Sequence, residues 1–277
     1  METKDLSIII TTFKSEGKIY TCLNSIPEEL KVFVIENSSN ENFKKEVESR
    51  YSNVTCVLTG KNTGYATANN LGLAKVQTKY ALVLNPDTVV EKNTISNFLN
   101  TASQNPDFWL IGPTENQGKK FDITNNELFE VDDLKGFAIF FNIEKFKSNF
   151  FDENFFLYFE EIDLCKKVKS QGGSIYLDSK IKIAHEGASS VDQNFKNELE
   201  KNRNWHWMWS TFYYHKKYKG FIYALIIIFP KMFSSFFKII FYSITLNKNQ
   251  KEIYFCRLSG IFNSILGKKS WYRPTID

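Results

Sequence analysis

Paired cysteines are missing from this 277-residue chain. The sequence has four cysteines, which lie far apart and form no C-x-x-C pair or other metal-ligand spacing: Cys22, Cys56, Cys165 and Cys256. This pattern argues against a disulfide framework or a zinc site and indicates reduced thiols in a cytosolic compartment. The amino terminus also lacks a basic stretch followed by an apolar signal core, so nothing in it suggests secretion.

Glycine-rich phosphate loops are missing as well. Neither G-x-x-x-x-G-K-[ST] nor G-x-G-x-x-G occurs in the sequence, which argues against P-loop ATPases and Rossmann oxidoreductases. The stretch TTFKSEGKIY, after the first predicted strand, has one glycine and lacks the basic loop expected of a sugar nucleotidyltransferase. A sugar nucleotidyltransferase stays an alternative function for this chain, and so does a catalytically inactive, membrane-bound scaffold.

Acidic residues are scarce in the tail. Residues 201–277 hold 13 Lys or Arg and two acids, whereas residues 1–200 hold 22 basic and 29 acidic residues. The tail also carries four of the five tryptophans. A basic, aromatic tail on an acidic body suggests contact with an anionic membrane surface rather than with nucleic acid.

A long apolar run lies within this tail, at positions 221–244. It is long enough to span a bilayer, but Pro230 interrupts it, and Lys231 and Lys238 would each cost about 2.5–3.5 kcal/mol at a helix centre in a membrane. We therefore expect a helix that lies in the membrane interface. The alternative is a helical appendage that packs on the body or on a second copy of the chain.

The first 113 residues alternate short apolar, β-branched runs with polar or helical stretches. The predicted strands are LSIIITTF, KVFVIENSS, VTCVLTG, YALVLNPD and FWLIGP, with helices predicted at 64–76 and 91–103. The pattern predicts an α/β fold with a mostly parallel central sheet and helices on both faces. Further strands, GFAIFFN, SIYLD and IKIAH, extend the domain to about residue 200, and a helical region follows at 201–277.

Polar side chains follow three predicted strands. They are Thr11 and Thr12, then Glu36 and Asn37, then the turn Asn85-Pro86-Asp87. Because ligands bind beyond the carboxyl ends of parallel strands, we expect a nucleotide here. A carboxylate at Asp87 is a ligand that Mg²⁺ accepts together with diphosphate oxygens, although Asp after Pro is also common in ordinary turns.

Three acids lie directly after an aromatic segment, FDENFFLYF at 151–159. They are Glu160, Glu161 and Asp163, and a helix is predicted from Glu160 to about Gln171. Aromatic walls disfavour ionised carboxylates, so acids in this setting are paired, bound to a metal ion, or held with altered basicity for proton transfer. Capping of the helix, or an ion pair of Asp163 with a lysine one turn later, is the structural alternative.

In their order, the motifs TTF, ENSSN, GKNTGYATANNLGLA, NPDT, KGFAIFF, FDENFFLYFEEIDLC and HEGASS resemble family 2 inverting glycosyltransferases of GT-A fold. The resemblance spans residues 5–190 and is strongest to the bacterial rhamnosyltransferase-like branch. It implies nucleotide-sugar binding by the following residues: Thr11, Thr12, Glu36, Asn37, Asn62, Gly64, Asn69, Asn85 and Asp87.

The resemblance also implies which residues bind the metal ion and which residue accepts the proton. Asp87 and His185 match the family's ligands for a divalent ion, Mg²⁺ or Mn²⁺, while Asn85 replaces the first acid of a D-x-D motif. Glu161 matches the base that takes the proton from an acceptor hydroxyl, with Asp163 as the second candidate.

The donor implied is dTDP-L-rhamnose, with UDP-hexoses and UDP-N-acetylhexosamines as alternatives. The acceptor implied is a cell-surface glycan or a lipid-linked glycan. The place implied is the cytoplasmic face of a bacterial inner membrane.

Overall fold

A computed structural model describes residues 3–114, 127–147, 150–185 and 196–273. The chain forms two compact units. The first comprises Met1–Asp152 and Glu161–Ser190, and the second comprises Glu153–Glu160 and Val191–Asp277. The structural boundary thus lies before position 200, and the aromatic segment 153–160, which sequence analysis placed in the first domain, belongs to the second unit.

The first unit is built on an eight-stranded sheet of order β3-β2-β1-β4-β8-β6-β9-β7. Its strands are β1 Leu6–Thr12, β2 Lys31–Glu36, β3 Val54–Leu58, β4 Tyr80–Leu84, β6 Phe108–Pro113, β7 Leu128–Glu130, β8 Ala138–Asn142 and β9 Ser174–Asp178. The first four are mutually parallel, and β8 runs antiparallel between β4 and β6. Two short strands, β5 Thr88–Val90 and β10 Ile183–His185, form a separate antiparallel ribbon.

The sheet is covered on both faces, and its central strands contain continuous apolar runs such as Ile8–Ile10. Ile8 and Ile10 of β1 pack into one core cluster, whereas Ile9 between them packs into the other. Alternate residues of a strand point to opposite faces, so a continuous apolar run is the sequence form of a doubly covered strand. The predicted α/β class with a mostly parallel sheet is confirmed.

Five of the described helices, which belong to the first unit apart from residue 160, flank the sheet. They are α1 Glu16–Asn24, α2 Glu41–Arg50, α3 Tyr65–Leu73, α4 Thr94–Gln104 and α5 Glu160–Ser170. The helix predicted at 64–76 begins one residue later because Gly64, at φ +88°, is its amino-terminal cap. The helix that begins at Glu160 ends, as predicted, before Gly172, whose φ of +76° reverses the chain.

The second unit consists mainly of three helices, α6 Lys196–Lys219, α7 Phe221–Ile244 and α8 Lys248–Ile265. Buried side chains from all three, including Phe212, Ile228 and Ile261, form its core. Pro230 does not break α7: the helix continues through it and forgoes one backbone hydrogen bond. Among the described residues, α7 is a helix long and apolar enough to cross a membrane.

Candidate active site

The turn after β4 is fixed by backbone hydrogen bonds. The amide of Asn85 donates to the carbonyl of Phe137 at 2.9 Å, and the hydroxyl of Thr88 donates to the carbonyl of Asn85 at 2.8 Å. Asp87 lies inside this turn and is 8% exposed. Its carboxylate is therefore held at the carboxyl end of a central strand, where ligands of such sheets bind.

His185 lies beside Asp87 because the β5–β10 ribbon places it opposite Thr88. Its Nε2 is 3.4 Å from an oxygen of Asp87. The imidazole also stacks on Phe137, with ring centroids 4.7 Å apart and an interplanar angle of 8°. The structure thus brings together the two side chains that sequence analysis named as metal ligands.

The donor set of Asp87 and His185 fits a divalent ion. A carboxylate oxygen and an imidazole nitrogen are both ligands for Mn²⁺, and a carboxylate suits Mg²⁺. Within the described residues no group of three or more His, Cys, Asp or Glu side chains could hold a metal. An ion at this pair would take its remaining ligands from phosphate oxygens and water.

The end of β1 lies next to α3. The hydroxyl of Thr11 donates to the side-chain oxygen of Asn69 at 2.9 Å, and the amide nitrogen of Asn69 donates to the carbonyl of Tyr65 at 3.0 Å. Thr12 is buried, and its carbonyl accepts from the amide of Asn37 at 2.8 Å. These contacts join the ends of β1 and β2 to the start of α3.

Glu36 lies at the end of β2 and its carboxylate is bound locally. One oxygen accepts from the hydroxyl of Ser38 at 2.6 Å, and the other accepts from the amides of Ser38 and Asn40 at 3.1 and 3.2 Å. The carboxylate therefore organises the start of α2. Contact with a nucleotide base, the role that the resemblance implies, would have to use its remaining lone pairs.

Asn37 acts as a hub for the loop before α3. Its side-chain oxygen accepts from the amide and the hydroxyl of Thr63 at 2.9 and 2.8 Å. Its nitrogen donates to the side-chain oxygen of Asn62 and to the carbonyl of Gly64, both at 3.2 Å. Both donors of the amide are engaged, so Asn37 positions the Asn62–Gly64 loop rather than offering a free donor to a nucleotide.

Glu161 lies against the backbone at the start of β8. A Cβ atom at Gly136 would stand 3.7 Å from the carboxyl carbon of Glu161. Burial raises the pKa of Glu161. The amides of Glu161 and Ile162 and the charge of Lys135 act in the opposite direction, and Asp133 adds to the increase. A carboxylate with a raised pKa is suited to accept a proton near neutrality.

Asp163, the second candidate base, is 1% exposed. The aromatic segment 151–159 is bound to α3 at its first residue, because the side chain of Asn70 exchanges two hydrogen bonds with the backbone of Phe151, both at 2.9 Å. These hydrogen bonds lie at the opposite end of the segment from the three acids.

The aromatic residues before the acids pack on α6 within the second unit. Phe155 contacts Tyr213 edge-on, Phe156 stacks on His206 at 4.4 Å, and Phe159 contacts Trp207 at 5.5 Å. Tyr158 and Phe159 have φ angles of +70° and +72°, which cost non-glycine residues about 1–2 kcal/mol each. The sequence argument that these rings surround the acids is therefore incomplete, because Glu161 is half-buried and also contacts Gly136.

Gly136 and Phe137 are the site residues that sequence reasoning missed. Gly136 contacts Glu161, and its carbonyl accepts from the hydroxyl of Tyr65 at 2.6 Å. The ring of Phe137 stacks on His185, and the carbonyl of Phe137 accepts from the amide of Asn85. The sequence shows the motif KGFAIFF as a predicted strand and as one of the motifs of the family resemblance, but neither pattern assigns Gly136 or Phe137 to the site. Glu186 and Gly187, which follow His185 in the HEGASS motif, lie outside the described residues.

The sequence profile of Glycosyl transferase family 2 matches residues 7–166, which is more than half of the chain. The chain belongs to glycosyl transferase family 2. The matched span contains Thr11, Asp87 and Glu161 but ends before His185. The place of His185 in this family 2 site therefore rests on the β5–β10 ribbon.

The family 2 chain is 25% identical, over 198 residues, to the low-salt glycan biosynthesis hexosyltransferase Agl10 of Haloferax volcanii. The match covers 62% of this chain and 64% of the relative, so less than two thirds of the relative's length is spanned.

Two solved structures resemble this family 2 fold. One is the mannosyltransferase PcManGT of Pyrobaculum calidifontis in complex with GDP-Man and Mn²⁺, with a TM-score of 0.60, 11% identity, and coverage of 96% of this chain and 88% of that one. The other is GalNAc-T7 with UDP, GalNAc and Mn²⁺, with a TM-score of 0.53, 14% identity, and coverage of 73% and 50%. At these identities the likeness shows the fold, which is of the GT-A type.

Proposed function

We propose that the chain is an inverting glycosyltransferase that moves a hexosyl group from a nucleoside diphosphate donor to an acceptor hydroxyl. The observation that carries the proposal is the 3.4 Å approach of His185 Nε2 to Asp87 at the carboxyl edge of the sheet. A carboxylate and an imidazole at this edge are the groups that a diphosphate-bound divalent ion requires. Family membership and the hexosyltransferase relative support the reaction class.

Asp87 and His185 would hold the ion, Mg²⁺ or Mn²⁺. When bound, such an ion supplies positive charge that stabilises the leaving diphosphate. The two solved relatives contain Mn²⁺ together with UDP or GDP-Man, which supports this proposal. Phe137 keeps the imidazole plane fixed by stacking, and the Asn85 turn keeps the carboxylate inside the site.

Glu161 is the proposed base. It takes the proton of the acceptor hydroxyl as that oxygen forms the new bond to the anomeric carbon and the bond to the diphosphate oxygen breaks. The nucleotide side is formed by Thr11, Asn69 and the Asn62–Gly64 loop, which Asn37 holds in place. Asp163 is the second candidate base.

For the donor, dTDP-L-rhamnose is the first compound to test, because of the N-P-D sequence at Asn85–Asp87 that resembles the rhamnosyltransferase-like branch. UDP-hexoses, UDP-N-acetylhexosamines and GDP-mannose follow. The proposed acceptor is a cell-surface glycan or a lipid-linked glycan, and the proposed place is the cytoplasmic face of a bacterial inner membrane. The apolar exposed face of α7 supports the membrane contact.

A panel of nucleotide sugars, incubated with Mn²⁺ and the full chain, tests the reaction class. We expect slow donor hydrolysis that releases a nucleoside diphosphate. Release of pyrophosphate would indicate a sugar nucleotidyltransferase, and no turnover with any donor or acceptor would indicate an inactive scaffold. For an active donor, the anomeric configuration of the product, measured by NMR, decides whether the transfer inverts.

A further inference from the structure

The exposed side of α7 is almost wholly apolar. Its residues recur at spacings of three and four and are 43–77% exposed: Ile222, Ile226, Phe229, Phe233, Phe236, Phe237, Ile240 and Ile244. A continuous apolar face of this size on a helix with a second, packed face is typical of insertion into a membrane interface.

The two lysines of α7 lie on the other side of the helix. At about 100° per residue, Lys231 and Lys238 are turned roughly 140–160° away from the centre of the apolar face. Lys231 lies over the ring of Trp207 at 6.0 Å, and Lys238 lies over the ring of Tyr254 at 4.8 Å. The lysines therefore do not oppose insertion of the apolar face into the membrane interface, which is the placement that the sequence predicts.

A third cation completes a cluster with these lysines. The guanidinium of Arg257 in α8 lies 5.6 Å from the ring centroid of Tyr254, and one of its Nη atoms donates to the side-chain oxygen of Asn204 at 2.8 Å. Burial lowers the pKa of Lys231, and the charge of Arg257 lowers it further. Lys231 and Arg257 are thus close enough to repel each other.

The cations of this cluster have unused hydrogen-bonding capacity. Among the residues that the structure describes, the ammonium group of Lys231 has no ion pair and no hydrogen bond, and the Nε of Arg257 is buried without a partner. Glu200 is the carboxylate whose charge acts on Arg257, and one of its oxygens accepts from Asn204 at 2.8 Å. Three cations against one acid leave an excess positive charge on the side of α7 opposite its apolar face.

We propose that Lys231, Lys238 and Arg257, framed by Trp207 and Tyr254, bind the phosphate head of an anionic lipid of the bilayer into which the apolar face of α7 inserts. A phosphomonoester or diphosphate offers several oxygens, and the three cations offer matching donors. Aromatic rings with one polar edge are suited to the level of the bilayer at which headgroups lie. The inference rests on the proposed membrane contact of α7 but not on the sugar-transfer chemistry.

Vesicle flotation of the full chain tests the site. One set of phosphatidylcholine vesicles contains phosphatidic acid, a phosphomonoester, and a second contains phosphatidylglycerol, with compositions adjusted to equal zeta potential. We expect tighter binding to the phosphatidic acid vesicles. The triple variant Lys231→Gln, Lys238→Gln and Arg257→Gln should lose that preference and bind them about tenfold more weakly than the control variant.

The matched control is Lys248→Gln, Lys251→Gln and Lys269→Gln, which removes the same charge from exposed positions of the second unit. Lys238→Gln alone changes one exposed side chain and should by itself weaken binding to phosphatidic acid vesicles severalfold, so a folding defect in the triple variant does not decide the result. Circular dichroism identifies such a defect.

The outcomes separate the two proposals. Equal losses in the site and control variants, or equal binding to both lipids, overturn the phosphate site and leave the membrane contact standing. Absence of wild-type binding to any vesicle overturns both the contact and the site. If soluble pyrophosphate protects the wild type from thermal unfolding and abolishes the lipid preference without vesicle release, the ligand is a free phosphate compound and the lipid assignment fails.

Discussion

The imidazole of His185 stacks in parallel on the ring of Phe137, 4.7 Å between centroids, while its Nε2 faces Asp87. Phe137, which directly precedes β8, thus fixes the orientation of the imidazole. His185 comes much later in the chain, and the β5–β10 ribbon places it beside this residue and Asp87. Asp87 and His185 therefore face each other in one site, and their interaction can be measured by comparing single and double variants.

Asp87→Ala should remove metal-dependent donor binding, with a loss of affinity of at least about tenfold by calorimetry in Mn²⁺. His185→Ala should weaken it less, and the double variant should lose less than the sum of the two, because both act on one ion. Glu91→Gln, which changes an exposed acid after β5, is the control. Additive losses would show that the two side chains do not share a ligand.

Glu161→Gln should reduce transfer about 10²- to 10⁴-fold while donor affinity stays within twofold of the wild type, because a base acts only on the reacting proton. Transfer is measured with the donor identified in the panel and affinity by calorimetry. Asp163→Asn is the companion variant. Full activity in Glu161→Gln combined with loss in Asp163→Asn would assign the base to Asp163.

The pH profile of transfer should follow Glu161. Since burial raises its pKa, the acidic limb of kcat/KM should lie above the ordinary glutamate value. Lys135→Met removes a charge that lowers this pKa and should move the limb upward, whereas Asp133→Asn removes one that raises it and should move the limb downward. If neither variant moves the acidic limb, the group whose titration produces that limb is not Glu161.

The same pKa has a consequence for stability. A carboxyl whose pKa is raised in the folded state binds protons more tightly there than in the unfolded chain, so the wild-type free energy of unfolding should fall as the pH rises through that window. Glu161→Gln lacks this group, so its stability relative to the wild type should increase with pH. Denaturant titrations between about pH 4 and 8 measure the difference. A difference that is constant with pH would contradict the raised pKa.

Asn37→Ala should destabilise the first unit by about 1–3 kcal/mol, because it leaves the backbone partners at Thr63 and Gly64 without their hydrogen bonds. Donor affinity should fall with it as the loop loosens. Asn42→Ala, on the exposed side of α2, is the control and should leave both unchanged. Normal stability with weaker donor binding would instead indicate direct contact with the nucleotide.

Phe229→Ser and Phe233→Ser together should release the chain from anionic vesicles, since each ring loses about 1.5–3 kcal/mol of burial. Both rings are more than half exposed, so folding should be preserved. Leu128→Ser, at an exposed apolar residue of β7, is the control. Continued flotation of the double variant would mean that α7 is not the contact.

Much of the first unit was predictable because its strands are long apolar runs and its helices have clear ends, such as Gly64 and Gly172. Asp87, His185 and Glu161 came from motif order. The predicted strand IKIAH contains β10, but β5 and its pairing with β10 were not predicted, since a three-residue strand carries too little periodicity. Gly136 and Phe137 were missed because their contacts with Tyr65, Asn85, Glu161 and His185 exist only once the sheet is assembled. The Asn37 hub was missed for the same reason.

The position of β8 also sets an order of events during folding. Within the described residues, strands β1 to β4 pair only with one another and with β8, so they can assemble as soon as residue 84 is available. By contrast, the partners of β6 in this part of the chain are β8 and β9, which are synthesised later. We expect amides of β1 and β4 to gain hydrogen-exchange protection early and those of β6 late, which leaves an apolar strand exposed in between. That interval is when a chaperone or a second nascent chain has access to this protein.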